Sequence, residues 1–148
     1  MTAAPPALSD AHRAVARDAR RLLAEQAALA EQAPSTGPLA GAAATPFGWG
    51  YVLGVVDALC GVHGAPFDAT ALGVWAAVLE EAAGRPAPDA LDAALDALRG
   101  GAADGAGGAG REPYGFAAGR EYGGNEALGW AQGACVPAAL VHLSRVRP

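Results

Sequence analysis

The sequence contains no lysine and only three serines, and these shortages exclude two well-known kinds of site. A P-loop ends in Gly-Lys-Ser/Thr after a strand, which a chain without lysine cannot supply. The Gly-x-Ser-x-Gly elbow of serine hydrolases is also missing. The glycine-rich run at 100–110 (GGAADGAGGAG) therefore predicts a flexible linker, and resembles a phosphate-binding loop only in composition.

Positive charge is scarce as well, since ten arginines supply all of it and the formal net charge is −5. A sequence-independent nucleic-acid binder normally carries a basic excess, so we do not expect a nucleic-acid partner. The longest apolar runs are interrupted by Asp57 and Gln132 and fall short of the roughly 20 residues of a membrane-spanning helix. The lack of lysine, with the excess of alanine, glycine and proline, is typical of coding bias in a GC-rich bacterium.

The first ten residues, MTAAPPALSD, show neither the positive region nor the apolar region of a secretory signal. We therefore expect a cytoplasmic protein. Two cysteines, Cys60 and Cys135, are then expected to be free, buried thiols.

The most informative stretch is residues 47–59, FGWGYVLGVVDAL, because it recurs at 116–128 as FAAGREYGGNEAL. Both copies fit Phe-x-x-Gly-x-x-x-Gly-x-x-acid-Ala-Leu. The glycine that follows the first copy, Gly64, is matched by Gly133 after the second. This spacing indicates an internal duplication.

Apolar periodicity, caps and breakers predict one all-α domain over residues 1–148, with about six helices. Residues 1–8 are a flexible leader, 33–46 a linker without regular structure, and 100–112 a flexible Gly-rich loop. The predicted helices span about 10–32, 46–62, 69–83 and 88–99, then one that starts at Pro113 and includes Trp130, and a last one over about 137–145. Gly123-Gly124 is a point where the fifth could break.

The apolar faces of these helices predict how they pack. Gly50, Gly54 and Ala58 form a groove of small side chains where another backbone can approach closely. We expect two pseudo-symmetric three-helix units packed through their glycine-rich helices. In the fourth helix, we expect an inward face formed by Leu91, Leu95 and Leu98. An outward face is formed by Asp89, Asp92 and Asp96.

Asp57 and Glu126 occupy the same position in the two copies, so they are the first candidates for chemistry. If the copies pack about a twofold axis, a close acid pair could act as a general acid and base or bind a metal. Alternatively, each carboxylate lies at the edge of its helix, beside solvent or an arginine. No Glu-x-x-His pair occurs, which excludes a ferritin-like di-iron site, and we expect no metal or cofactor.

A second candidate is the polar-aromatic cluster at the start of the second copy, formed by Tyr114, Arg120, Glu121 and Tyr122. Tyrosine and arginine are the residues that most often anchor protein interfaces. The alternative is an ordinary helix start with exposed charges. The arginines at 13, 17 and 20 and the aspartates at 89, 92 and 96 form opposite stripes that could pair within the fold, pair across a homodimer, or stay solvated.

The run GYVLGVVDAL, followed by a short turn and WAAVLEE, is similar to a motif of the helical immunity proteins that neutralise type VI secretion amidase effectors. The similarity covers about a quarter of the chain; the residues that carry it are Gly50, Tyr51, Gly54, Val55, Asp57 and Ala58. That family usually has a secretion signal and paired cysteines, which this sequence does not show.

These patterns together favour a non-catalytic helical module that binds another protein or itself, as an immunity, adaptor or regulatory protein. The alternative is a small enzyme or ligand-binding protein with an acidic pocket between the two halves, around Asp57 and Glu126 with His63 nearby. The two differ in whether one pocket holds both carboxylates.

Overall fold

A computed structural model describes residues 8–31, 39–100 and 115–141, and these residues form helices and turns without a β-strand. The all-α class is therefore confirmed for this part of the chain. The helices are α1 (Asp10–Glu31), α2 (Leu39–Ala43), α3 (Pro46–His63), α4 (Ala69–Ala83), α5 (Pro88–Leu98) and α6 (Phe116–Ala131). Residues 139–141 are also helical. None of the described helices combines the length and the apolar character needed to cross a membrane.

Local sequence signals set most helix ends. The side chain of Asp68 accepts a hydrogen bond from the backbone N–H of Ala71 at 3.1 Å and so caps α4, whose predicted start at residue 69 is confirmed. Thr45 caps α3 in the same way, directly before the proline at its first position. Gly64 ends α3 with φ of 69°, a backbone conformation that glycine adopts without strain.

Two predictions about helix continuity were wrong, and in both cases tertiary packing explains the difference. Residues 33–46 were expected to lack regular structure, yet α2 occupies part of this stretch and buries Ala42 and Ala43 against Gly48 of α3. The pair Gly123-Gly124 was expected to weaken or break its helix, yet α6 runs through it without interruption. Packing against α3 outweighs the roughly 1 kcal/mol per glycine of lost helix propensity.

Helix α3 forms the centre of the fold, as its nearly uniform apolar character predicts. It packs on α1, α4 and, most extensively, on α6. Its side chains from Tyr51 to Val56 are buried without exception. The sequence predicts an apolar face of α1 made of Leu8, Val15, Ala19, Leu22 and Leu23. The last four are buried against this core, as is Trp75 of α4, but Leu8 is 39% exposed because it precedes the helix.

Helices α3 and α6 run parallel and approach each other through glycines of both copies. A Cβ atom added to Gly50 would lie within 3.0 Å of the carbonyl oxygen of Phe116, and one added to Gly54 within 3.0 Å of that of Arg120. Real Cβ atoms essentially never come so close to a backbone atom. Any side chain larger than a hydrogen atom would therefore force the helices apart at both positions.

The glycines of α6 approach the backbone of α3 just as closely. A Cβ added to Gly119 would lie within 3.0 Å of the carbonyl oxygen of Phe47, and one added to Gly123 within 3.0 Å of that of Tyr51. We call the contact formed by Gly50, Gly54, Gly119 and Gly123 the α3–α6 seam. Residues with higher numbers on α3 meet residues with higher numbers on α6, which shows that the two helices are parallel.

Helix α5 faces the core differently from the prediction. Leu91 and Leu95 were expected to point inward, but they are 44% and 40% exposed, and alanines are buried instead. These alanines are Ala90, Ala94 and Ala97. They lie about 100° around the helix from the leucines, and their small side chains let α5 approach α3 and α4. Helix α5 begins the second predicted three-helix unit, but it packs on α3 and α4 of the first. The arrangement of two three-helix units stays a prediction.

Candidate binding groove

An open groove of about 560 Å³ lies along the α3–α6 seam. Gly54, Gly124 and three alanines contribute only small groups to its lining, and larger residues of both helices form its walls. Asp57 comes from α3, and Arg120, Glu121, Asn125 and Leu128 come from α6. The seam that brings the two backbones together therefore also shapes the groove.

Arg120 is the central cation of this groove. Its guanidinium Nη2 donates to Oδ2 of Asp57 at 3.3 Å, and its guanidinium carbon lies 5.8 Å from the ring centroid of Phe67. The side chains of Arg120 and Asp57 remain 34% and 42% exposed. An ion pair this exposed contributes about 0–1 kcal/mol to stability. Arg120 is thus positioned by two neighbours but can still reach a ligand.

The α6 wall combines charge, amide and hydrocarbon. Glu121, Asn125 and Leu128 follow helical i, i+4, i+7 spacing and therefore share one face of α6. All three are exposed, and Leu128 keeps 44% of its surface in contact with solvent. A leucine exposed beside polar groups is a typical component of a protein-binding surface.

The structure brings three of the six predicted site residues together, namely Asp57, Arg120 and Glu121. Tyr122 is 56% exposed, and its ring lies 5.8 Å from that of Phe47 between centroids. Tyr114 lies outside the described residues.

Glu126, the sixth predicted residue, makes a different set of contacts from Asp57. Its carboxylate accepts hydrogen bonds from the hydroxyl of Tyr51 at 2.5 Å and from the backbone N–H groups of Ala138 and Ala139 at 3.2 and 3.1 Å. It thereby holds the start of the helical turn at 139–141. Asp57 instead pairs with Arg120, so neither carboxylate has the other as its hydrogen-bonded partner.

A buried glutamine completes this network, and the sequence interpretation missed it. Gln26 is fully buried, donates from Nε2 to the Tyr51 hydroxyl at 2.6 Å, and accepts at Oε1 from the backbone N–H of Leu140 at 3.1 Å. Its position four residues after Leu22, on the apolar stripe of α1, is the signal that could have identified it. Burial raises the pKa of Tyr51, and the nearby Glu126 carboxylate raises that pKa further.

Two polar pairs connect α3 and α6 across the seam, and each helix supplies the donor of one pair. Tyr51 and Arg120 occupy equivalent positions in the two sequence copies, and so do Asp57 and Glu126. Tyr51 of α3 bonds to Glu126 of α6, while Arg120 of α6 bonds to Asp57 of α3. The equivalent positions thus have equivalent contacts. In one pair an uncharged hydroxyl donates a hydrogen bond to a carboxylate, and in the other a guanidinium forms an ion pair with a carboxylate.

His63 and the two cysteines do not line this groove. His63 Nε2 is 2.7 Å from Oδ2 of Asp18, so its described partner is on α1. Both cysteines are free; Cys60 is buried, and burial raises its pKa to about 11, with a further contribution from the charge of Asp57. Cys135 was expected to be buried but is exposed, because it lies in the turn after α6.

In the part of the chain that the structure describes, no three or more His, Cys, Asp or Glu side chains are grouped so that they could hold a metal ion. What the site offers is an open groove with one cation, two carboxylates, an amide and a leucine. Comparisons with protein-family models, with curated proteins and with solved structures return no match for this chain.

Proposed function

We propose that this chain is a non-catalytic helical module that binds another protein through the α3–α6 groove. The observation that carries the proposal is the exposed Leu128 on the same wall as Glu121 and Asn125, opposite Asp57. Protein interfaces combine apolar contacts with a polar rim in this way.

A polypeptide would find complementary groups along the groove. The guanidinium of Arg120 can donate paired hydrogen bonds to a carboxylate. Glu121 and Asn125 can accept from or donate to a peptide backbone, and Leu128 can cover an apolar side chain. Small-molecule sites usually bury 70–90% of their ligand in a concavity, whereas this groove is partly open to solvent.

The contacts favour a binding module over a small enzyme that uses Asp57 and Glu126 as an acid pair. Each carboxylate is engaged separately, Asp57 by Arg120 and Glu126 by Tyr51 and two backbone amides. Whether the module acts in immunity, as an adaptor or in regulation depends on the identity of its partner.

The two helices that form the groove are, in our proposal, counterparts in an internal duplication. The reciprocal glycine contacts across the seam support this, because each glycine approaches the residue equivalent to the one that its counterpart approaches. The crossed pairs Tyr51–Glu126 and Arg120–Asp57 provide independent support from polar side chains.

Capture of a partner from an extract of the native host tests the proposed function. We expect Leu128→Asp and Arg120→Glu to reduce the amount of captured partner at least tenfold, because both changes alter groove walls. Val62→Asp is the matched control, since Val62 is 47% exposed on α3 and does not line the groove. Equal capture by the folded groove variants and the control, judged by circular dichroism, would refute binding through this groove.

A further inference from the structure

Helix α5 presents an apolar stripe that the described residues leave largely uncovered. Leu91 and Leu95 are 44% and 40% exposed, and Leu98 is half-buried. Their spacing, i, i+4, i+7, is that of a helix face that packs on another helix. The alanines on the neighbouring face already attach α5 to α3 and α4, so the leucines are not needed for that contact.

Two opposite charges flank this stripe along the helix axis. Asp92 and Arg99 are seven residues apart, which places them within about 20° of each other around the helix, on the exposed side next to Leu95. Asp92 lies about 4.5 Å before Leu95 along the axis, and Arg99 about 6 Å after it. The Arg99 side chain is 73% exposed, and its ion pair with Asp96 is long, at 4.0 Å.

We propose that α5 docks antiparallel on α5 of a second copy of this chain, with the twofold axis passing beside Leu95. In this arrangement Asp92 of each copy lies level with Arg99 of the other, because their distances from Leu95 nearly match. A parallel pair would instead place the Asp92 and Arg99 side chains of the two copies on opposite flanks of the contact, where neither charge meets a partner. Charge complementarity therefore selects the antiparallel dimer, and an isologous contact of this kind closes at two copies.

The contact is small, since it consists of one short helix from each copy. Interfaces of this size are typical of weak, reversible association, so we expect a dimer that forms with rising concentration. Leu91, Leu95 and Leu98 do not line the α3–α6 groove, and the dimer can therefore be tested independently of the proposed function.

Sedimentation of the full chain over a concentration series tests the dimer. We expect the mass to rise from that of the 14.6 kDa monomer towards twice that value, and Leu95→Asp to keep it at the monomer. Val62→Asp, which changes an exposed apolar residue outside α5, should dimerise like the original chain. A chain that stays monomeric at every concentration, or a Leu95→Asp variant that still dimerises, would overturn the proposal.

A charge exchange tests the antiparallel geometry. Asp92→Arg and Arg99→Asp should each weaken dimerisation at least fivefold, because each places like charges together across the contact. The double variant should restore it, since every pair is then opposite again. A double variant that dimerises no better than the single variants would refute the antiparallel arrangement.

Discussion

Substitution of Gly54 by alanine is expected to destabilise the fold, whereas the same change at Gly73 is expected to stabilise it. Both glycines lie inside helices, so alanine improves helix propensity at each by about 0.5–1 kcal/mol. At Gly54 the new Cβ would lie within 3.0 Å of the Arg120 carbonyl oxygen, and this backbone atom cannot rotate away. Overpacking of this kind destabilises by about 1–3 kcal/mol, which exceeds the gain. A Cβ at Gly73 meets nothing within 4 Å.

Thermal unfolding followed by circular dichroism measures this difference. At this chain length, 1 kcal/mol corresponds to about 2–4 °C in Tm, so Gly54→Ala should lower Tm by several degrees and Gly73→Ala should raise it slightly. Gly123→Ala should behave like Gly54→Ala, because it meets the backbone of Tyr51 in the same way. If Gly54→Ala and Gly123→Ala raise Tm as much as Gly73→Ala does, the close approach of α3 and α6 is wrong.

Three further predictions concern the buried network and the thiols. Tyr51→Phe removes the hydrogen bonds to Gln26 and Glu126 and should lower the free energy of unfolding in urea by about 1–3 kcal/mol; an unchanged value would argue against the network. Because the pKa of Tyr51 is raised in the folded protein, the unfolded chain loses this proton first, so stability should fall as pH rises above about 10, and less steeply in Tyr51→Phe. With Ellman's reagent at pH 8, Cys135 should react rapidly and Cys60 only after denaturation; two fast thiols would contradict the burial of Cys60.

The sequence was sufficient for features that depend on local chemistry. The predicted span of α4, 69–83, is the observed one, since the cap at Asp68 and the glycine at Gly84 each act within one turn of the chain. The central position of α3 also followed, because a helix that is apolar on all sides must be buried. Three of the predicted site residues, Asp57, Arg120 and Glu121, do lie in one groove.

Features that depend on which helices meet could not be predicted in the same way. Both the leucines and the alanines of α5 make plausible inward faces, and only the close approach of α3 and α4 selects the alanines. The role of Gln26 depends on the backbone of residue 140, more than a hundred positions away. Helix α2 depends on its contact with Gly48, which composition does not reveal.

Site-specific photocrosslinking in the native host tests binding through the α3–α6 groove most directly. A photoreactive amino acid placed at Asn125, on the groove wall, is compared with one placed at Thr70, which is exposed on α4 outside the groove. We predict a covalent adduct with one particular protein from Asn125 that is not obtained from Thr70. The same set of adducts from both positions, or no adduct from Asn125, would contradict the account.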